Sequence, residues 1–212
     1  MKVFNFLKNA YYRLFFFFFR MYKPSPYGGK ETDTFTVVLT VIQSLSEWLT
    51  KFGISIERTR NSEMIINENS INYRWKLANK TGAEVFVSIH LNSGLSEEAF
   101  AVYEERGNSL KWQQENSIEL GNYIMENMTV MTPANNPVIS STKTRLKTIG
   151  VLKYFKGGAG ILLEMGGISS EANRNNILNN HGIIGREIAT GVYQYFNNGA
   201  KPPTAIYKCV YY

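Results

Sequence analysis

Cysteine is all but missing from this chain: Cys209 is the only one among 212 residues. That excludes an internal disulfide framework and any cysteine-based zinc cluster. Histidine is nearly as scarce, with only His90 and His181, so a metal site would have to lean on carboxylates. Acidic residues are absent from the first thirty positions, which hold Lys2, Lys8, Arg13, Arg20, Lys23 and Lys30. Those six cations account for the whole formal charge of +6, and residues 31–212 are neutral. A basic isoelectric point would ordinarily point to nucleic acid or an anionic membrane; here the charge sits in one terminal segment, and no nucleic-acid partner is expected. No internal repeat is present either.

Long hydrophobic runs are lacking too. The block Leu14-Phe15-Phe16-Phe17-Phe18-Phe19 is about a third of the roughly 20 residues that a spanning helix needs. It has the basic start of a signal peptide but a short core and no small-residue cleavage site. Its aromatics form a block and not the stripe of an interfacial helix. No stable membrane insertion is expected. Hydrophobic residues at 44% and charged residues at 19% describe one globular domain. Residues 1–27 read as an atypical N-terminal segment, 28–198 as the globular domain and 199–212 as a linker-like tail.

The stretch Glu84-Val85-Phe86-Val87-Ser88-Ile89-His90-Leu91-Asn92-Ser93 organises the rest. β-branched and aromatic residues run into a histidine and then a polar loop, the pattern of a buried strand whose carboxyl end opens outward. Ligands of α/β sheets sit at such ends, which makes His90 a candidate metal ligand or acid–base group. Phe35, Val38, Leu39, Ile42, Leu45, Trp48 and Leu49 recur at helical spacing up to about Gly53, a plausible stop. Ile54–Arg58 alternates like a strand, Asn72–Lys80 reads as a helix and Phe100–Tyr103 as a further strand. Ser109–Met128 reads as a helix burying Trp112, Ile118, Leu120, Tyr123, Ile124 and Met128. Thr129–Thr144 reads as a loop lining the site, Ile149–Phe155 and Ala159–Met165 as strands, and Glu171–Asn179 and Ile183–Phe196 as two helices. Alternating helices and strands imply an α/β fold: a twisted, mainly parallel sheet with helices on both faces.

Glu31 lies just ahead of the first long helix, and Glu164 ends the apolar run Gly160-Ile161-Leu162-Leu163. A carboxylate and an imidazole can share a zinc ion, and a carboxylate outside the metal shell can serve as base for its water. Glu31 also suits a helix N-terminus through the dipole alone. Glu164 favours function, because a buried carboxylate without a partner is costly.

Thr59-Arg60, Arg74 with Ala78-Asn79, the stretch Gly82–Ser93, and Gly160-Ile161-Leu162-Leu163-Glu164-Met165-Gly166-Gly167-Ile168-Ser169-Ser170 together resemble the type 3 class of zinc-dependent N-acetylmuramoyl-L-alanine amidases. The resemblance covers roughly residues 28–198. It implies hydrolysis of the amide between N-acetylmuramic acid and L-alanine in peptidoglycan. It also implies Zn2+ held by Glu31 and His90, Glu164 as general base and then acid, and Asn92 at the substrate groove. Arg74 reads as structural. The expected working form is a monomer acting outside the cell or at its wall, either a host hydrolase or a phage lysin released from the cytoplasm.

One family feature is missing. The family carries a further zinc histidine in a Gly-His-Gly-Gly-like turn after its first strand, and this chain has no histidine before His90. The position falls within residues 1–27, where a homopolymer of phenylalanine codons invites a frame slip. The segment therefore reads as other than the family's native beginning, although Met1–Phe4 still suits the true start of the first strand. The alternative function is an inactive relative that grips peptidoglycan or a regulatory partner.

Overall fold

The structure is a computed structural model. It describes residues 31–59, 70–92, 95–105, 110–145 and 147–203, together with the backbone of 13–18; the side chains of 31–35 and of 70 and 71 fall outside that description. Six strands form one sheet: β1 (Arg13–Phe18), β2 (Ser55–Arg58), β3 (Val85–Asn92), β4 (Glu98–Tyr103), β5 (Thr132–Ser140) and β6 (Ala159–Gly167). Their spatial order is β2-β1-β3-β6-β4-β5. Every pairing is parallel except β4 against β6. The helices are α1 (Glu31–Lys51), α2 (Ser70–Lys80), α3 (Lys111–Asn127) and α4 (Glu171–Phe196). The expected α/β fold, a mainly parallel sheet between helical layers, is the fold observed.

The alternation along β3 sorts its side chains between two cores. Val85, Val87, Ile89 and Leu91 join Ile161, Leu163 and Met165 in the larger core, covered by α1, α3 and α4. Phe86 and Leu162 join Ala78 of α2 and Ile149, Val151, Leu152 and Phe155 in the smaller core on the opposite face. Helix α1 contributes Val37, Val38, Val41, Ile42, Leu45, Trp48, Leu49 and Phe52, the stripe its spacing foretold. Two glycines let α4 settle closely. A Cβ on Gly185 would lie 2.6 Å from Leu45 N, and one on Gly191 would lie 2.5 Å from Ile124 Cα.

Several sequence expectations give way here. The phenylalanine block, to which the sequence alone assigns no element, supplies most of one strand. Arg13–Phe18 is an interior strand, hydrogen-bonded to β2 on one side and β3 on the other. Met1–Phe4 lies outside the described residues. Thr132–Ser140, expected as loop, is the edge strand β5; its Pro133 and Pro137 are tolerated because an edge leaves one row of N–H groups unused. Ile149–Phe155, expected as a strand, runs in turns beneath the smaller core. The two expected C-terminal helices are one, continuous through His181 and Gly182. On α3, Trp112 is 47% exposed, and the buried positions are Gln113, Ser117, Leu120, Gly121, Ile124 and Met125.

Candidate active site at the carboxyl edge of the sheet

His90 and Glu164 are register partners on the adjacent strands β3 and β6. Partnered residues of neighbouring strands share a face, with backbones about 4.8 Å apart. The two groups, 74 positions apart in sequence, thus stand side by side near the carboxyl ends of two interior strands. Ser88 lies two residues before His90 on the same face, and its Oγ is 2.9 Å from His90 Nε2. Ser88 is fully buried and His90 nearly so.

Burial sets the electrostatics. It removes solvent from the imidazole and, with the Arg74 guanidinium adding repulsion, lowers the His90 pKa to about 3. His90 is therefore neutral at any ordinary pH, the form that binds metal. Burial also pushes the Glu164 carboxyl up to about 8. Its side chain is half-buried as a whole, but Oε2 is shielded from solvent and has no hydrogen-bond partner among the described residues. An orphaned carboxylate oxygen beside a neutral imidazole is a cation-seeking arrangement.

The loop after Glu164 is held by Asn173 near the start of α4. Its Nδ2 donates to Met165 O at 3.1 Å and to Gly167 O at 3.3 Å. Gly166 between them has φ +78, and a Cβ there would lie 2.7 Å from Asn173 Nδ2. Ser170 caps α4 by accepting from Asn173 N at 3.1 Å, and its own hydroxyl donates to Glu97 Oε1 at 2.8 Å. Asn92 ends β3 half-buried, and its carbonyl accepts from Ile168 N at 2.8 Å. That bond ties the His90 strand to the loop after Glu164.

Glu31 is the first residue of α1, the crossover from β1 to its parallel neighbour β2. A crossover helix begins where its strand ends, so Glu31 stands at the same carboxyl edge as His90 and Glu164. Its side chain lies outside the description. His181 does not reach the site: it is exposed on α4, across the sheet, with Nδ1 2.7 Å from Leu178 O. Among the described residues no cluster of three or more potential metal ligands occurs.

Sequence reasoning missed Ser88 and under-read Arg74. Ser88 is a polar interruption of an otherwise apolar strand at the position sharing the histidine's face, a signal open to anyone applying a period of two. Arg74, read as structural, is buried on α2 and acts electrostatically on His90.

The chain resembles several solved amidase structures. The N-acetylmuramyl-L-alanine amidase Ami1 from Mycobacterium abscessus superposes with a TM-score of 0.70 at 13% identity, covering 88% of this chain and 99% of that one. An N-acetylmuramoyl-L-alanine amidase from Clostridium difficile 630 gives 0.68 at 20% identity, covering 91% and 100%. The CwlD amidase from Clostridioides difficile, solved in complex with the GerS lipoprotein, gives 0.67 at 20%, covering 87% and 98%. No curated protein matches. Residues 26–194 match the family described as N-acetylmuramoyl-L-alanine amidase, beginning just beyond the phenylalanine strand. With most of its length inside that match and the fold of the enzymes around its paired His90 and Glu164, the chain belongs to the N-acetylmuramoyl-L-alanine amidase family of peptidoglycan hydrolases.

Proposed function

We propose that this chain cleaves the amide between the lactyl group of N-acetylmuramic acid and L-alanine, with Glu31 and His90 holding a zinc ion and Glu164 moving the proton. The observation that carries the reading is the pairing of a neutral His90 with Glu164, whose buried Oε2 has no partner among the described residues. The donor set fits a divalent cation, one imidazole and carboxylates being ordinary zinc ligands. Zinc, when bound, supplies a Lewis acid and lowers the pKa of a water toward about 7.

The protein's own groups do the rest. Ser88 engages Nε2 and fixes the ring of His90. Glu164 takes a proton from the attacking water and delivers it to the departing amine. A cation nearby favours the ionised carboxylate and so opposes the upward push of burial, making Glu164 competent as a base. Asn92, at the end of β3, borders the groove that receives the glycan-linked peptide. The substrate places the site of action outside the membrane, at the cell wall. No helix among the described residues is long and apolar enough to cross a membrane. The working form is a monomer.

The test is digestion of a soluble muropeptide by the zinc-loaded chain, with mass spectrometry of the products. Release of the intact stem peptide from the amino sugar is expected, and Glu164→Gln abolishes it. An intact substrate with zinc bound stoichiometrically would sink the reading. The second reading, an inactive relative that grips peptidoglycan, is favoured by one observation: the chain has no third histidine, and His181 lies across the sheet. Sedimentation with sacculi without any release of peptide is its signature.

A further inference from the structure

The smaller core is covered by two segments without a single acid. Residues 70–83 carry Arg74, Lys76 and Lys80, and residues 141–158 carry Lys143, Arg145, Lys147, Lys153 and Lys156. The two segments meet. Asn79 Nδ2 donates to Tyr154 O at 2.9 Å, and Lys156 N donates to Asn79 Oδ1 at 2.9 Å. Trp75 packs on Tyr154 with ring centroids 5.3 Å apart. Arg74 is buried, whereas Lys76 and Lys153 lie at the Trp75–Tyr154 pair and Lys80 and Lys156 are exposed on the same two segments. No described carboxylate pairs with these four. Lys76 Nζ instead lies 5.5 Å from the Trp75 ring centre, and Lys153 Nζ lies 5.1 Å from that of Tyr154.

We infer that this lysine–aromatic face, the outer surface of α2 with residues 153–156, binds a wall-anchored polymer whose repeat carries phosphodiesters. Four ammonium groups on two segments that carry no acid complement a repeating negative charge, and Lys76 and Lys80 at i and i+4 share one side of the helix. The rings offer apolar faces to the carbon backbone between phosphates. A lipid surface fits less well. The exposed residues of α2 among those described are Asn72, Tyr73, Lys76 and Lys80, none of them aliphatic. The inference concerns retention on the wall, and it stands apart from the reading of the catalytic site.

The experiment is co-sedimentation of the full chain with purified sacculi that retain their phosphodiester polymers and with the same sacculi stripped by acid. The parent should bind the intact sacculi about tenfold more tightly, and salt should erase the difference. The variant K76Q/K80Q/K153Q/K156Q should bind both poorly and alike, while K76R/K80R/K153R/K156R keeps the preference. Hydrolysis of soluble muropeptide, whatever its level, should be the same in all three proteins. Equal binding to stripped and intact sacculi would overturn the inference. So would an unchanged preference in the glutamine variant, or tighter binding to phosphatidylglycerol vesicles than to intact sacculi at equal phosphate.

Discussion

Replacing Glu164 by glutamine separates what the site costs the fold from what it gives the chemistry. Burial raises this carboxyl from 4.5 to about 8. Between those values the folded chain keeps a proton that the unfolded chain has released. The group's contribution is therefore complete below pH 4.5 and is lost as pH rises through about 8, at roughly 1.4 kcal/mol per pH unit. At pH 7, the metal-free parent has given up roughly 3 kcal/mol that an uncharged amide of the same shape retains. For a domain of this size that is a rise in Tm of roughly 5–10 °C for Glu164→Gln. The measurement is a pair of thermal melts in chelator, at pH 4.5 and pH 7.5. The gain should be large at the higher pH and near zero at the lower one, and saturating zinc should reduce it while hydrolysis stays lost. A variant that melts at or below the parent at pH 7.5, or gains equally at both values, would refute the reasoning.

His90 works in the opposite direction. Its pKa falls from 6.5 to about 3 on folding, so its own contribution to the metal-free parent falls by roughly 1.4 kcal/mol per pH unit below 6.5, offsetting the gain from Glu164 down to pH 4.5 and standing alone below it. Chemical denaturation of His90→Gln in chelator should lack that slope. Ser88→Ala should weaken zinc binding by about 10–100-fold. Nitrogen-15 spectra, uncrowded because only His90 and His181 contribute, should show a changed tautomer balance at His90, with Ser88→Thr restoring the parent pattern. Gly166→Ala should cost at least about 1–3 kcal/mol, since φ +78 disfavours a Cβ and Asn173 fills its space. A circular dichroism melt unchanged from the parent would show that the loop adapts.

The legible parts of the chain were those in which one residue's burial repeats with a fixed period. Helix α1, strand β3 and strand β6 follow from spacing, and His90 and Glu164 from being polar at the ends of apolar strands. What failed was context supplied from elsewhere. Strand β5 is polar because an edge need not bury both faces, so Thr132–Ser140 resembled a loop. Ile149–Phe155 is apolar because it lies under the sheet, and a short apolar run does not reveal whether it extends or turns. Helix α4 passes unbroken through Asn179, Asn180, His181 and Gly182, where the Ser44 hydroxyl of α1 donates to Gly182 O at 3.2 Å. The pairing of His90 with Glu164 depends on which strands are neighbours, and that follows from topology and not from either motif.

The interior strand Arg13–Phe18 spells almost nothing but one letter, and this has a consequence for how the sheet assembles. Its partners along β3 are Leu14 with Val85, Phe15 with Phe86 and Phe16 with Val87. Sliding the strand by two positions would lay phenylalanine on phenylalanine over part of its length, and would bring Arg13 or Arg20 to a place that a phenylalanine now holds. The phenylalanines alone therefore say little about the alignment of the first strand, and the arginines on either side of them say more. The remainder is imposed by β2 and β3, which makes those neighbours the arbiters of where the carboxyl edge begins.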